Sequence, residues 1–432
     1  MSIKHSVRIL AVGAVLALSL TACAGNNNGG GGASASAGPV TLTMWHNASD
    51  STPLLNLYKA YEAATGNTLN LVELGNTNYP SEVQTKWATG DRPDILEYSP
   101  APQDMAQLNV SQNMQDLSSM AFVAAEGDLA KASGSVNGVT YAAILGPIQS
   151  FGLFYNKTVL SSLDITPPTN ATELLAACQT IKDSGDNVTP VWMGGGDQWP
   201  IMMLAGFGYM GDYNKDDAYG LSLAAGTAKA GDSGSPIVSA LTFLTQLRDS
   251  GCFNSDYVTA QAADGQSGLL AGTTAMMVLP SDGIAQLYGI ANDTAKVDST
   301  MGFGNWSAQA GVTSYSPGTN GTYYAPKTGN ATKEAAAKAF IDWITTTGYQ
   351  AYINDAQAVP TMTGFAAPTL TGLNETSVTV MQGQTAIAFN NSIPGFGNYG
   401  QVCMKVLAGQ DTPQQGADEW QTYIDQAREA MS

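Results

Sequence analysis

The succession of a strand, a helix and a second strand near residue 40 most constrains how this chain can fold. Apolar side chains at Val40, Leu42 and Met44 occupy every second position, which is the period of a β-strand. A helix should follow, because Pro53 suits a first helical turn and Gly66 suits a helix end. A short apolar run after Gly66 indicates the next strand. A strand–helix–strand unit of about 35 residues predicts a parallel sheet, so we expect an α/β protein.

Two more helices are indicated further along the chain. Apolar residues at helical spacing predict a helix over residues 331–347, which Gly348 would end. The last helix should begin with Thr412 as its cap and Pro413 in its first position. The alternation of strands and helices therefore extends through the chain.

The first 38 residues differ in composition from the rest of the chain. Lys4 and Arg8 precede an apolar run over residues 9–20, and about a dozen residues is shorter than the roughly 20 that span a membrane. This pattern predicts a secretory signal peptide over residues 1–22. The sequence Leu-Thr-Ala-Cys that ends at Cys23 resembles the bacterial lipobox, whose cysteine carries a diacylglyceryl group after cleavage. The alternative is an ordinary signal peptide with an incidental cysteine.

Residues 24–38 contain only Gly, Asn, Ser and Ala. Such a segment cannot bury enough apolar surface to fold, so residues 23–38 should comprise the lipid-bearing cysteine and a flexible tether. We therefore expect the protein on the extracytoplasmic face of the bacterial cell membrane, which it would contact only through the lipid on Cys23. No later segment is long and apolar enough to span a bilayer.

Size and charge restrict the folded part. About 394 residues follow the tether, more than one hydrophobic core usually organises, so two lobes are expected. Thirty-five acidic residues against 17 Lys and Arg give a net charge of −18, which disfavours nucleic acid and anionic membrane surfaces as partners.

Catalytic motifs are missing from the sequence. His46 is the single histidine after the signal peptide, so metalloenzyme sites with two or three histidines are excluded, and no Gly-x-Ser-x-Gly elbow accompanies it. Residues 206–211 match the letters of a dinucleotide fingerprint but lack its strand–turn–helix context. We therefore expect no cofactor, no metal and no enzymatic activity. A secreted glycosidase stays open as an alternative, because carboxylates from distant loops could meet in space.

Three cysteines remain once Cys23 carries lipid. Outside the cytoplasm one disulfide can form, and Cys178 with Cys252 is the favoured pair, which leaves Cys403 over. Three buried free thiols are the alternative.

Six segments carry a family resemblance, and they fall in the order that the family shows. The segments are Thr41–Asn47, Lys86–Ile95 with its Gly-x-x-Pro-Asp turn, Gly152–Lys157 with Tyr-Asn-Lys, Gly272–Met277 with Gly-x-x-Ala-Met, Lys333–Trp343 with Lys-x-x-Ala-x-x-Phe, and Leu407–Pro413 with its Gly and Thr-Pro. Together they resemble the family 1 extracellular solute-binding proteins of ABC importers, the group that includes maltose-binding protein. The resemblance extends over nearly the whole chain after the signal peptide.

The resemblance implies a two-lobed clamp of the type II periplasmic-binding-protein kind. Each lobe would be a sheet flanked by helices, and hinge motion would close the lobes around a ligand. The implied boundaries are 39–148 plus 320–366 for the N-terminal lobe and 149–319 plus 367–432 for the C-terminal lobe. The chain would cross between the lobes near residues 147–149, 320–324 and 364–369.

A sugar site needs aromatic plates for C–H faces and planar polar groups for hydroxyls. Trp45, His46 and Asn47 end the first strand, where the family places cleft residues. By matched position the resemblance adds Tyr98, Gln149, Asp282 and Phe396. Gln149 replaces a carboxylate and Asp282 replaces a stacking tryptophan of maltose-binding protein, which argues against malto-oligosaccharide specificity. The loop aromatics Trp199 and Trp306 could supply plates instead.

We therefore expect a monomeric binding protein that delivers a carbohydrate, with an oligosaccharide favoured, to the membrane subunits of an ABC permease. The alternatives are a binding protein for a non-sugar small solute and, less favoured, the secreted glycosidase. Phosphate-bearing solutes would need Arg or Lys in the cleft, and the loops around Trp199, Asp282 and Trp306 contain none.

Overall fold

A computed structural model describes most of the chain after the predicted tether. The described residues are 38–75, 79–100, 102–146, 148–206, 219–306, 314–317, 320–381, 386–387, 393 and 395–431. The predicted signal peptide, Cys23 and the predicted tether up to residue 37 lie outside them.

The strands are short, and most are separated by helices. In chain order they are β1 (Thr41–Asn47), β2 (Thr68–Leu74), β3 (Ile95–Glu97), β4 (Ser135–Val136), β5 (Val139–Thr140), β6 (Ala142–Ile144), β7 (Ile148–Asn156), β8 (Thr189–Val191), β9 (Thr274–Pro280), β10 (Met301–Asn305), β11 (Ser314–Pro317), β12 (Thr322–Tyr324) and β13 (Ala386–Ile387).

The helices cover more of the chain than the strands do. They are α1 (Thr52–Thr65), α2 (Tyr79–Ala88), α3 (Pro102–Gln107), α4 (Val110–Asn113), α5 (Ala121–Glu126), α6 (Asp128–Ser133), α7 (Lys157–Ser162), α8 (Ala171–Asp183), α9 (Trp199–Ala205), α10 (Tyr219–Ala225), α11 (Pro236–Asp249), α12 (Ala262–Ala271), α13 (Gly283–Ala291), α14 (Thr294–Thr300), α15 (Ala331–Thr345), α16 (Tyr349–Ala356), α17 (Gly372–Met381), α18 (Tyr399–Leu407) and α19 (Pro413–Met431). Within the described ranges, none of these helices has both the length and the hydrophobicity needed to cross a bilayer.

The first sheet contains five strands in the order β2-β1-β3-β12-β6. Strand β1 pairs in parallel with both β2 and β3, whereas β12 runs antiparallel to β3 and β6. Helix α1 connects β1 to β2, with Pro53 in its first turn and Gly66 in a left-handed conformation at its end. The strand–helix–strand unit predicted at the start of the folded chain is confirmed.

The second sheet contains six strands, with β7 at its centre. Along β7, the first residues pair with β11, and the later residues pair with β9 on one side and β10 on the other, all antiparallel. Strand β9 also pairs in parallel with β8.

Each sheet has its own hydrophobic core. Under the first sheet, Tyr58 and Tyr61 of α1 pack with Phe340 and Ile344 of α15. A separate cluster around the second sheet includes Trp420 and other residues of α18 and α19. We call the elements packed on the first sheet the first lobe and those on the second sheet the second lobe. The α/β two-lobed architecture expected from the sequence is confirmed, while the exact lobe boundaries stay a prediction.

Two connections between the sheets lie side by side. The chain leaves β6 for β7 through Leu145 and Gly146, and it returns from β11 to β12 through Asn320 and Gly321. The amides of Leu145 and Gly146 both donate to the carbonyl of Gly321, at 2.8 and 3.1 Å. A Cβ atom on Gly146 would lie 2.4 Å from the Asn320 carbonyl oxygen, so the two connections approach closely only because glycine stands there.

A disulfide joins Cys178 of α8 to Cys252, which lies just after α11. This is the pair favoured by the sequence. Cys403 of α18 is buried and free.

Gly321→Ala should lower the free energy of unfolding by about 2 kcal/mol or more. Gly321 has a φ of +83°, and an added Cβ would come within 2.8 Å of the Gly146 backbone. Gly289→Ala is the matched control, because Gly289 lies in α13 with open space around its Cα hydrogens. That control should stabilise by about 0.5–1 kcal/mol. Urea denaturation measures both, and equal effects of the two substitutions would contradict the close approach.

Candidate ligand-binding cleft

A cavity lies between the two lobes. The first lobe and the returning connection line it with Ser49, Ser51, Pro53, Leu54, Asn320, Tyr352, Ala356, Gln357, Ala358, Val359 and Pro360. The second lobe and the start of β7 line it with Ile148, Ser281, Asp282, Ala285, Gln286, Asn374, Ser377 and Val378. A cleft between lobes is where ligands of two-lobed proteins are usually bound.

The lining combines aliphatic side chains with hydroxyl and amide groups. Among the lining residues that the structure describes there is no Lys, Arg or His, and Asp282 provides the single carboxyl group. Burial raises the pKa of Asp282 to about 6. A cavity of this composition can hydrogen-bond a neutral polar molecule and offers an anion no compensating charge.

On the first-lobe side of the cavity, hydrogen bonds fix a polar rim that Ser49 and Asn320 form. The Asn47 side chain accepts from the backbone amide and the hydroxyl of Ser49, both at 3.0 Å. The Asn320 amide donates to the Ser49 hydroxyl at 3.1 Å and accepts from Asn47 at 3.4 Å. Asn47 therefore supports the cavity wall from behind, while Ser49 and Asn320 line it.

Directly behind this rim lies a buried polar cluster. The Nδ1 atom of His46 is 3.1 Å from Oδ2 of Asp50, which also accepts from the Tyr58 hydroxyl at 3.0 Å. Glu97 accepts from the backbone amides of Asn47 at 3.2 Å and Gly321 at 2.5 Å. Burial raises the pKa of Glu97 well above its ordinary value and the Asp50 carboxylate raises it further, whereas the two amide donors act in the opposite direction.

Trp45 and Tyr98, two of the predicted contacts, lie in the hydrophobic interior of the first lobe. Trp45 is 2% exposed and Tyr98 is fully buried, and both pack in one cluster with Trp87. The Tyr98 hydroxyl accepts from Gln84 at 3.2 Å. Their rings are covered by protein in this conformation, because the first sheet is packed on both faces.

Trp306 and Phe396 lie in the core of the second lobe. Trp306 is 1% exposed and stacks on Phe243, with ring centroids 6.0 Å apart. Phe396 is 8% exposed and packs beside Tyr399. Trp306 was considered as a loop aromatic that could supply a sugar plate, and here residues distant in sequence cover its ring.

Trp199 has more neighbours than its glycine-rich surroundings suggest. It is the first residue of α9, is half-buried, and packs against two hydrophobic clusters of the second lobe. Gln149 lies in β7 opposite Ser316, and its side chain falls outside the described part of the structure. Among the predicted contacts whose side chains the structure describes, Asp282 lines the cavity.

Several cavity residues were not predicted from the sequence. Ser49 and Ser51 follow the predicted first strand, and attention to every polar residue after that strand would have found them. Asn374 and Ser377 share one face of α17, as their spacing of three requires. Nothing local distinguishes them from other polar residues of a helix.

Comparisons with known proteins agree with this architecture. The sequence profile described as "Bacterial extracellular solute-binding protein" matches residues 47–351. No curated protein gave a significant match. Among solved structures, a chitin oligosaccharide binding protein is 22% identical, with a TM-score of 0.76 over 90% of this chain and 99% of that one.

Two further structures have a similar fold. The solute-binding protein RafE in complex with raffinose is 16% identical, with a TM-score of 0.72 over 90% of this chain and 99% of its own. A sugar transporter protein from Bacillus licheniformis in complex with stachyose is 19% identical, with a TM-score of 0.69 over 90% and 100%. These likenesses establish the two-lobed fold.

Trp306→Ala should lower the free energy of unfolding by about 3–5 kcal/mol, because it empties a large core position. Trp199→Ala, at a half-buried position, should cost less. Urea denaturation of the two variants measures the difference. A small effect at Trp306 would show that its ring is not part of the core in solution.

Proposed function

This chain belongs to the bacterial extracellular solute-binding protein family, and we propose that its solute is a neutral carbohydrate. The sugar would be captured in the cavity between the lobes and passed to the membrane subunits of an ABC importer. Closure of the lobes around the sugar would produce the form that the importer recognises.

The composition of the cavity wall carries this proposal. Sugar hydroxyls both donate and accept hydrogen bonds, and the hydroxyls of Ser49 and Ser281 and the amides of Asn320, Asn374 and Gln286 can do the same. The aliphatic lining suits the C–H faces of a sugar ring. Since no Lys, Arg or His stands among the described lining residues, an anionic solute is disfavoured.

Proteins of similar fold support the same class of solute. They include a chitin oligosaccharide binding protein and two proteins solved in complex with raffinose and with stachyose. We infer an oligosaccharide for this chain as well.

We assign the predicted contacts different roles in binding. Asp282 would contact the sugar directly, and Asn47 would act through Ser49 and Asn320. His46 lies behind the rim, and Trp45, Tyr98, Trp306 and Phe396 would support the lobes from within. Trp199 would reach the ligand only if the lobes move, and Gln149 stays a proposed contact.

The same proposal includes the location of the protein. We infer a monomer that is held at the extracytoplasmic face of the cell membrane by a lipid on Cys23, at the end of the tether of residues 23–38. The protein would act by binding and release, without catalysis.

Asn374→Ala should weaken sugar binding about five- to tenfold, the cost of one hydrogen bond of about 1 kcal/mol. Calorimetry should first identify a ligand of the wild-type chain among chitin oligosaccharides, raffinose and stachyose. That ligand should also raise the melting temperature, since it binds only the folded state. Thr376→Ala is the matched control, because Thr376 is exposed on the same helix and does not line the cavity.

The control variant should bind like the wild type. Binding that is equally weakened in both variants would place the sugar elsewhere. A ligand whose affinity falls tenfold or more at high salt would be charged, which would contradict a neutral carbohydrate.

Cys23→Ala should release the protein into the medium of the bacterium that makes it, because the proposed lipid attachment is lost. Fractionation followed by immunoblotting compares the variant with the wild type. If the variant stays with the membranes after a salt wash, the lipid on Cys23 is not the anchor.

A further inference from the structure

Three potential metal ligands converge at the carboxyl ends of β1 and β3. His46, Asp50 and Glu97 each contribute one ligand atom, and these atoms all lie within 4.8 Å of one another. Nδ1 of His46 and Oδ2 of Asp50 are 3.1 Å apart. The cluster uses residues 46 and 50 from one strand and its following turn, and Glu97 from the neighbouring strand.

The cluster is buried and rich in negative charge. The His46 side chain is 5% exposed and that of Asp50 is 2% exposed, while Glu97 is fully buried. Tyr58 donates to Asp50, and Tyr79 donates to the backbone carbonyl of Glu97, but hydroxyl groups bring no positive charge. Burying two carboxyl groups without a compensating charge is costly.

Asp50 also has an unused ligand atom. Its Oδ1 atom is buried and has no hydrogen-bond partner among the described residues. In the part of the chain that the structure covers, neither Asp50 nor Glu97 pairs with a Lys or Arg. The Glu97 carboxyl group also lies within hydrogen-bonding reach of the Asp50 carboxyl group, so a proton or a cation must stand between the two, and the imidazole nitrogen of His46 beside them offers a third ligand for a cation.

We propose that His46, Asp50 and Glu97 bind a divalent transition-metal ion such as Zn²⁺. One imidazole nitrogen and two carboxylate oxygens are ligands that zinc accepts, whereas Ca²⁺ and Mg²⁺ prefer oxygen alone. Zinc holds such ligands at about 2.0–2.2 Å in a tetrahedron, so ligand atoms around it lie about 3.3–3.6 Å apart. The most widely separated ligand atoms, within 4.8 Å of each other, would therefore move together by up to about 1.5 Å when the ion binds.

The ion would be structural. Its ligands support the turn that carries Ser49 and Ser51, and Glu97 also holds the backbone of Gly321 next to Asn320. The ligands themselves stand behind the cavity lining, so the ion would stabilise the first lobe without touching the solute. The proposal therefore does not depend on which solute the cleft takes.

The test uses the full chain, stripped of metal with a chelator and then titrated with Zn²⁺, Mn²⁺, Ca²⁺ or Mg²⁺. Calorimetry should give one Zn²⁺ per chain, and zinc should raise the melting temperature. Asp50→Asn should weaken zinc binding at least about a hundredfold, because losing even an outer partner of a metal ligand costs 10–100-fold. Asp128→Asn is the control for weak binding to surface acids, since Asp128 is exposed and lies outside the cluster.

A second readout covers the case in which Asp50→Asn does not fold. His46 is the single histidine after the predicted signal peptide, so the histidine ring signals in a proton NMR spectrum of the processed chain belong to it, and His46→Gln should remove them. One equivalent of Zn²⁺ should shift those signals. Unshifted His46 signals, or the absence of one-to-one zinc binding by the wild type, would overturn the proposal and leave a proton as the group that the carboxyl groups share.

Discussion

The Glu97 carboxyl group holds together the parts of the chain from which the cleft is built. It stands at the end of β3 and accepts backbone amides from the end of β1 and from the connection between the lobes. A buried carboxyl group with two fixed amide donors sets their relative positions closely, because moving either would leave a buried polar group unpaired. The positions of Ser49 and Asn320 in the cavity wall follow from this arrangement.

Local sequence patterns were sufficient for much of the fold. The first strand–helix–strand unit, the helix from residue 331 and the last helix were all predicted, because apolar spacing, proline at a helix start and glycine at a helix end act over a few residues. The helix predicted over residues 331–347 ends at Thr345, since helix ends are the least determined part of such a pattern. The two-lobed architecture followed from the length of the folded part and from the family resemblance of the six segments.

The candidate site was harder to predict, because burial depends on residues far apart in sequence. Trp306 stands among small and polar neighbours, yet Phe243 of α11 covers its ring. Tyr98 directly follows β3, yet the helices of the first lobe enclose it. Asn374 and Ser377 enter the cavity only because α17 packs beside β10 and brings them opposite the turn after β1. No local sequence pattern predicts these contacts.

The disulfide of the second lobe also bears on how the protein is exported. Cys178 and Cys252 are 74 positions apart. Closing a loop of that length lowers the entropy of the unfolded chain, which stabilises the folded state by about 4 kcal/mol in the simplest treatment. Thiols stay reduced in the cytoplasm, so a newly made chain would lack this stabilisation before secretion. The second lobe would then be easier to keep unfolded for translocation and would gain its full stability only after crossing the membrane. The same bond would make the second lobe harder to unfold once the protein has reached its working location.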